Sequence, residues 1–163
     1  MTTSPIRDGS HDFDFFVGTW KVQHRRLRER LVGSTGWEEF EGQSICRNLR
    51  GNLANMDEGW LEREIGHIDC MTVRLYNRQT GEWSLYWAAS GSGALDIPMI
   101  GSFDKQNGTG HFYAHETHND RHVYSRFIWS NITQTSCHWE QALSADGGQT
   151  WETNWTMDFT RVP

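Results

Sequence analysis

The sequence predicts an all-β protein, a single antiparallel meander β-barrel of about eight to ten strands with a short helical segment near its N-terminus. The first observation is composition, since the 163 residues include nine Trp, eight Phe and four Tyr, with polar residues between them. Aromatic residues that alternate with polar ones are typical of strands with one buried face. The second observation is a succession of turn motifs at short intervals, which a closed barrel accommodates without unpaired strand edges.

The turn motifs divide the chain into segments rich in Trp, Tyr, Phe, Val, Ile and Thr, which favour strands. Residues 12–16 are the best helical candidate, and no segment has the pattern of a long amphipathic helix. The length suits one domain, residues 1–163, of which residues 1–10 are expected to be flexible. Turns are predicted at residues 33–36, 51–52, 79–81, 91–93, 107–108, 119–120 and 146–148.

The charge balance argues against a nucleic-acid partner. The formal net charge is −6 and the isoelectric point is near 5.7, whereas nucleic-acid-binding proteins carry clustered Lys and Arg. One basic cluster, residues 24–28, is matched by the acidic residues Glu38, Glu39 and Glu41. We interpret it as charge pairing between neighbouring strands rather than as a phosphate-binding patch.

The number and spacing of the cysteines and the hydropathy of the sequence indicate the cellular compartment. Cys46, Cys70 and Cys137 are an odd number without C-x-x-C spacing, which predicts neither a disulfide framework nor a zinc site. Residues 1–12 contain no apolar signal-peptide core, and no stretch approaches the ~20 apolar residues of a membrane helix. We therefore expect a cytoplasmic protein with no membrane partner.

Residues 144–151, SADGGQTW, match the Asp-box pattern S-x-D-x-G-x-T-W of sialidase propellers. In those proteins the motif is a hairpin whose Asp and Ser bind the turn backbone while the Trp packs beneath, and it is not catalytic. A single copy in a short chain does not make a propeller. We interpret the motif as a structural clamp and not as a sign of glycosidase activity.

The hairpins also predict a strand register. If Ser144 lies opposite Thr150, Trp139 faces Trp155. A loop at residues 130–136 then places Phe127 opposite Trp139, and a turn at residues 119–120 places Phe112 opposite Phe127. Four successive strands thereby acquire two faces. The aromatic face holds Phe112, Ala114, Ser125, Phe127, Trp129, Cys137, Trp139, Gln141, Thr153, Trp155 and Met157. The charged face holds Tyr113, His115, Tyr124, Arg126, His138, Glu140, Asn154 and Asp158.

We expect the aromatic face to point inward, because burying each aromatic side chain is worth of order 1.5–3 kcal/mol. The interior is then an aromatic cavity with a few polar anchors, which is typical of small-molecule sites. In the alternative, these aromatic residues simply fill a closed core. His24 shares its side of the first strand with Trp20 and Val22, and Tyr86 and Trp87 come from a middle strand. The predicted ligand-binding residues are His24, Tyr86, Trp87, Phe127, Trp139, Gln141, Thr153 and Trp155.

If the charged face lined the interior instead, Arg126 and Glu140 would form a buried ion pair. Arg126 could then hold a carboxylate or enolate, and Glu140 or His115 could move protons. These three residues are the candidate catalytic groups. The structural alternative is a surface Arg–Glu pair worth ~0–1 kcal/mol.

Four histidines, at positions 111, 115, 118 and 122, would stack on one face of a helix. The residues between them favour strands and a turn, so only His115 and His122 would be near neighbours. Two ligands do not make a closed zinc site. We therefore expect no metal.

Residues 11–20 (HDFDFFVGTW), together with residues 139–142 (WEQA) and 151–155 (WETNW), resemble a bacterial family of uncharacterised lipocalin-like proteins. The resemblance covers nearly the whole chain. It implies a calycin-type barrel in which Gly18-Thr19-Trp20 starts the first strand and closes the base. It implies no activity and no catalytic residue.

Two other barrel families allow a comparison of cofactors and ligands. Nitrobindin-like barrels also begin with G-x-W and bind haem through a late-strand His. The late strands here offer His138, on the charged face, so we expect neither haem nor another cofactor. Fatty-acid-binding proteins use Arg and Tyr inside a barrel, which Arg126 and Tyr124 would imitate if the charged face lined the interior.

Three hypotheses for function follow. The leading one is intracellular binding of a small apolar or aromatic molecule inside the barrel. The second is an isomerase, cyclase or hydrolase that uses acid–base residues in the same pocket, and the third is an interaction protein such as a homodimer without a ligand. An interior lined by Trp139 and Trp155 with space between them would favour binding, whereas one lined by Arg126 and Glu140 would favour an enzyme.

Overall fold

The computed structural model describes residues 8–49 and 51–163, which form a closed, all-antiparallel barrel of ten strands in meander order. The strands are β1 (Gly18–Leu27), β2 (Trp37–Asn48), β3 (Ala54–Arg63), β4 (Gly66–Asn77), β5 (Glu82–Ala89), β6 (Met99–Asp104), β7 (Thr109–His118), β8 (Arg121–Ser130), β9 (Ser136–Ser144) and β10 (Glu152–Arg161). Each strand pairs with the next along the chain, and β10 pairs with β1 to close the barrel. The predicted all-β meander barrel is confirmed. Residues 1–7, part of the segment predicted to be flexible, lie outside the described residues.

Alternation of buried and exposed side chains is the reason that the sequence forms these strands. In β1, Trp20, Val22 and His24 are buried, while Lys21 and Gln23 between them are exposed. This period of two is the period of a strand with one face in a core. It also sends every second residue of β1 into the barrel interior.

The N-terminal segment closes the base of the barrel. The helical segment predicted at residues 12–16 is a single 3₁₀ turn, Asp14–Phe16. Phe13 packs edge-on against Phe103 and Trp83, at centroid distances of 4.8 and 5.1 Å. Phe16 stacks on Trp20 at 5.4 Å. These rings form an apolar plug that a strand could not have supplied.

Hydrogen bonds tie this plug to the strands. The Trp20 indole N–H donates to the carbonyl of Phe16 at 2.8 Å, and the Trp83 indole N–H donates to the carbonyl of Gly9 at 3.1 Å. Arg161 packs its guanidinium 4.2 Å from the centre of the Trp20 ring. Trp20 is therefore the floor of the barrel, as expected for the aromatic residue of the opening Gly18-Thr19-Trp20 triplet.

The predicted register is confirmed for one C-terminal hairpin and wrong for two. Phe112 lies opposite Phe127 across β7 and β8, as predicted. Trp139, however, lies opposite Trp129 rather than Phe127, and opposite Met157 rather than Trp155. A shift of two residues keeps each side chain on its side of the sheet. The aromatic face consequently points inward despite these errors.

A bulge in β10 explains one remaining difference. The β9–β10 register shifts between Thr153 and Trp155, which leaves Asn154 as an extra residue. Thr153 pairs with Ala142 and so leaves the aromatic face to which it was assigned. Asn154, predicted on the charged face, is fully buried and accepts a hydrogen bond from the Gln141 side chain at 2.8 Å.

The Asp-box residues form a hydrogen-bonded hairpin between β9 and β10. The hydroxyl of Ser144 donates to Asp146 at 2.7 Å and accepts the Gly148 N–H at 2.8 Å. Asp146 also accepts from the backbone N–H and the hydroxyl of Thr150, at 2.9 and 2.6 Å. The indole N–H of Trp151 donates to the Gly148 carbonyl at 3.1 Å. These contacts agree with the interpretation of the motif as a structural clamp.

Candidate functional site

A cavity of about 280 Å³ lies inside the barrel, above the aromatic base. We call the opposite end the mouth; there the chain turns after β1, β3, β5, β7 and β9. Arg30, Asp96 and Ile97, from two of these connections, line the cavity at this end. Pockets for drug-sized ligands measure ~300–1,000 Å³, so this cavity suits a small ligand.

One side of the cavity is an aromatic wall formed by Trp87, Phe127, Trp139 and Trp155 of β5, β8, β9 and β10. Trp155 meets Trp139 edge-on at 5.8 Å and Trp87 edge-on at 6.3 Å. Phe127 packs against Trp139 at 4.8 Å. Rings in these orientations present both faces and edges to a planar apolar group.

His24 is held neutral beside this wall. It is 2% exposed, stacks on Phe40 at 4.6 Å, and its Nδ1 accepts the Trp155 indole N–H at 3.1 Å. Burial lowers the His24 pKa to about 3. Because Nδ1 accepts a hydrogen bond, the proton of the neutral ring is on Nε2. Nε2 has no protein hydrogen-bond partner within the part of the chain that the structure describes, so His24 can donate to a ligand.

The opposite side is a polar wall contributed by β2, β3 and β4: Ser44, Asp57, Cys70, Thr72 and Arg74. The guanidinium of Arg74 lies 2.6 Å from the carboxylate of Asp57, and Arg74 is 3% exposed. Its charge is further stabilised by the side-chain oxygen of Asn55 at 3.0 Å and by the ring of Phe16, whose centre is 5.1 Å away. This ion pair forms the part of the polar wall nearest the aromatic base.

Two uncharged residues at the cavity, Ser44 and Trp129, have buried polar atoms without hydrogen-bond partners. The Ser44 hydroxyl oxygen and the Trp129 indole nitrogen form no hydrogen bond within residues 8–49 and 51–163. Both residues line the cavity. Buried polar atoms normally have a partner, so these two are available to a bound molecule or water.

Charged residues surround the mouth. Arg63 donates to Glu38 at 2.7 Å, and Glu38, which is 2% exposed, also accepts the Glu64 backbone N–H at 2.8 Å. Burial raises the pKa of Glu38, but these two hydrogen bonds and the positive charges of Arg63 and Arg26 together lower it overall. Arg63 and Glu38 thus neutralise each other.

Arg26 and Arg30 line the same opening without such partners. Neither guanidinium has a carboxylate within ion-pair distance among the described residues. The predicted charge pairing holds for Arg25, which lies 3.7 Å from Glu39. Arg26 lies opposite Glu38 in the register and attracts it electrostatically, but the ion-pair contact of Glu38 is with Arg63.

Two carboxyl groups face the opening from the other side. Glu116 of β7 and Asp96, on the exposed β5–β6 connection, both line the cavity. Burial raises the pKa of each carboxyl group. For Glu116, the positive charge of Arg30 opposes this rise and the negative charge of Asp96 adds to it. Carboxyl groups that have shifted pKa values and lie beside a cavity are candidates for proton transfer or ligand recognition.

The structure brings most of the predicted ligand-binding residues to the cavity. Six of them line it: His24, Trp87, Phe127, Trp139, Gln141 and Trp155. It does not bring Tyr86 or Thr153 there. Tyr86 alternates with the inward-facing Trp87, and the bulge turns Thr153 away.

The three candidate catalytic residues lie outside the barrel. Arg126 is opposite Ala142 rather than Glu140, and its guanidinium lies 4.3 Å above the Trp151 ring. Glu140 lies 3.7 Å from His138. His115 is exposed beside His122, with ring nitrogens 3.1 Å apart. Within residues 8–49 and 51–163, no group of three or more His, Cys, Asp or Glu is placed to hold a metal ion.

Sequence reasoning missed the charged residues of the cavity. Arg26 shares the alternation of Val22 and His24, so extending the pattern that located His24 would have found it. The segments around Asp57 and Arg74 have unusual polar content, which is compatible with rim or pocket positions, but the sequence does not assign their faces because charged side chains are rarely interior. The charged cavity residues that were not assigned from the sequence are Arg26, Arg30, Asp57, Arg63, Arg74, Asp96 and Glu116.

Comparisons with known proteins do not assign the chain to a family. The chain matches no protein-family model and no curated protein.

No helix in the described part of the chain is long and apolar enough to cross a membrane.

Proposed function

We propose that this protein is a lipocalin-like container that binds a small apolar or aromatic molecule inside its barrel. The observation that carries the proposal is the cavity of about 280 Å³ between an aromatic and a polar wall. A residual interior space of this kind is what a binding protein requires and a purely structural barrel does not. Trp139 and Trp155 line it, and Arg126 and Glu140 do not, which favours binding.

The proposal includes the compartment and the partner class. All three cysteines are free, which suits a reducing cytoplasm. The partner is a small molecule rather than nucleic acid, because the unpaired arginines Arg26 and Arg30 face the cavity and the net charge is −6.

Native mass spectrometry of protein purified without denaturation tests the proposal directly, because a ligand retained from the host would appear as added mass. A titration with a panel of small aromatic compounds, followed by Trp emission and thermal shift, is the second measurement. We expect emission to change because Trp87, Trp139 and Trp155 line the cavity.

A matched pair of variants separates interior binding from surface binding. Thr72→Phe places a ring in the cavity, whereas Val73→Phe places the same ring on the outer side of the same strand. We expect Thr72→Phe to abolish binding and Val73→Phe to retain it. Unchanged emission and melting temperature across the panel, with no retained mass, would contradict the proposal.

Acid–base catalysis in the same cavity is a second candidate. Asp96 and Glu116 favour it, because their raised pKa values bring two carboxyl groups at the mouth closer to neutrality. The same mass spectrometry distinguishes the two functions. A binding protein returns the compound unchanged, whereas an enzyme returns a chemically altered product, and Glu116→Gln would stop the conversion without preventing binding.

A further inference from the structure

The charged residues at the mouth narrow the chemistry of the ligand. Three arginines, Arg26, Arg30 and Arg63, line one side of the opening, and one carboxylate, Glu38, is bound to Arg63. Two guanidinium groups therefore face the cavity without a carboxylate in contact. Such groups are costly to enclose unless something pairs with them.

Arginines on the outside of the same strand and the loop after it provide the contrast. Arg25 lies 3.7 Å from Glu39, and Arg28 binds Glu64 at 2.5 Å. The cavity-lining Arg63 and Arg74 are likewise ion-paired, with Glu38 and Asp57. Arg26 and Arg30 differ from these four arginines because neither has a described carboxylate within ion-pair distance.

The environment of Arg30 supports this interpretation. Its Nε, like that of Arg63 and Arg74, is buried and has no hydrogen-bond partner among residues 8–49 and 51–163. Burial, and then the positive charge of Arg26, lower its pKa to about 10, although the charges of Glu116 and Glu152 act in the opposite direction. An anion between the two side chains would oppose both effects and supply the missing acceptor.

Arg26 connects the charge to the aromatic wall. Its guanidinium lies 5.4 Å from the centre of the Trp155 ring. Trp155 also contacts Trp139 and Trp87, so a ring bound against this wall would direct a substituent toward Arg26. The Arg26 guanidinium therefore borders the aromatic wall against which a ring would bind.

We infer that the ligand of this barrel is an aromatic monocarboxylate, with its ring against Trp87, Trp139 and Trp155 and its carboxylate on Arg26 and Arg30. This inference rests on the proposed binding function and specifies the ligand. Asp96 and Glu116 face the same opening and repel a doubly charged group more than a singly charged one. A carboxylate is therefore favoured over a phosphate, although both suit the planar donors of arginine.

Three naphthalene probes test the inference by fluorescence titration of the full chain: 2-naphthoate, the neutral 2-naphthalenemethanol and 2-naphthyl phosphate. We expect the wild-type protein to bind naphthoate about 10-fold to 100-fold more tightly than the alcohol, the range for hydrogen bonds to a charged group. The phosphate is expected to bind more weakly than naphthoate. This comparison needs no variant, so it does not depend on the stability of an altered protein.

The variants Arg26→Gln and Arg30→Gln then assign the preference to these side chains. Their combination should bind naphthoate no more tightly than the alcohol and should bind the alcohol as the wild type does. Arg25→Gln, on the same strand but directed outward, is the matched control and should retain the full preference. Thermal unfolding verifies that each variant is folded.

The outcomes separate the two levels of the proposal. If naphthoate and the alcohol bind equally to the wild type, or if the double variant keeps the preference, the carboxylate inference is wrong and the binding function stands. Tighter binding of naphthyl phosphate than of naphthoate would overturn the inference that the acidic group of the ligand carries a single negative charge. Binding of none of the three probes would overturn the aromatic-carboxylate inference and count against the proposed function.

Discussion

At the scale of single residues, the protonation of His24, which binds Trp155 of the aromatic wall, makes the stability of the protein depend on pH. The ring is buried and neutral, with a pKa of about 3 in the folded protein against an ordinary value of 6.5. Between these values the unfolded chain binds a proton that the folded protein does not. The free energy of unfolding therefore falls as pH decreases through this window, by at most ~1.4 kcal/mol per pH unit from this residue.

We expect His24→Gln to reduce this pH dependence, because glutamine can accept the Trp155 N–H but does not titrate. The measurement is urea unfolding at several pH values, comparing slopes of unfolding free energy rather than absolute stabilities. His67→Gln is the control: hydrogen bonds to Glu62 and then Asp69 raise the His67 pKa. His67 is then protonated in both states over the lower part of the window, so its removal should leave the slope there unchanged. Equal slopes in the wild type and His24→Gln would show that His24 is charged in the folded protein.

At the scale of elements, the β9–β10 hairpin depends on one carboxylate. Hydrogen bonds from the Thr150 side chain and backbone lower the Asp146 pKa to about 2, from an ordinary value of 3.8. Because the folded pKa is depressed, the stabilisation is present above the unfolded value and is lost as pH falls toward the folded one. The turn is therefore stabilised by charge as well as by shape.

We predict that Asp146→Ala lowers the melting temperature at neutral pH by roughly 2–4 °C, the size of a single lost interaction in a chain of this length. Asp146→Asn, which keeps an oxygen acceptor but not the charge, should lose less. Differential scanning calorimetry measures both variants; below about pH 2 the Asp146→Asn difference should vanish and the Asp146→Ala difference should become smaller. An Asp146→Asn difference that persists there would mean that the carboxylate charge is not responsible.

The faces of the C-terminal strands were predictable, but their registers were not. Alternation of apolar and polar residues depends on the strand itself, so Trp139 and Gln141 could be placed on one side from the sequence alone. The register depends on how each turn satisfies its backbone. In the Asp-box turn, Ser144 and Asp146 bind turn N–H groups, and strand pairing resumes at Glu152 rather than at Thr150. Such side-chain contacts are not encoded in strand periodicity.

At the scale of the whole molecule, the barrel could be predicted, and so could the aromatic half of its cavity. Trp139 and Trp155 follow from the general cost of exposing large aromatic side chains. The charged half of the cavity could not be predicted. An interior Arg74 is stable only through Asp57, Asn55 and ring contacts from the base, and these partners are distant from it in sequence. A residue with such partners is indistinguishable from a surface residue until the fold brings them together.

The closure of the barrel predicts that it unfolds as one unit. Arg161, at the end of β10, donates to the carbonyls of Phe15 at 2.6 Å and Val17 at 2.5 Å and covers Trp20. It thereby joins the last strand to the plug and the first strand. Arg161→Met removes these charged donors, and we expect it to lower the unfolding free energy by about 2 kcal/mol or more.

In urea, the transitions of Arg161→Met followed by Trp emission and by far-ultraviolet circular dichroism should still coincide, because the base and the strands share one core. Arg121→Met, a substitution at an exposed arginine at the start of β8, is the control and should leave the midpoint unchanged. If Trp emission of Arg161→Met changed before the dichroism, the plug would open separately from the strands. The base would then be a distinct unit, and ligand entry through it would have to be considered beside entry through the mouth.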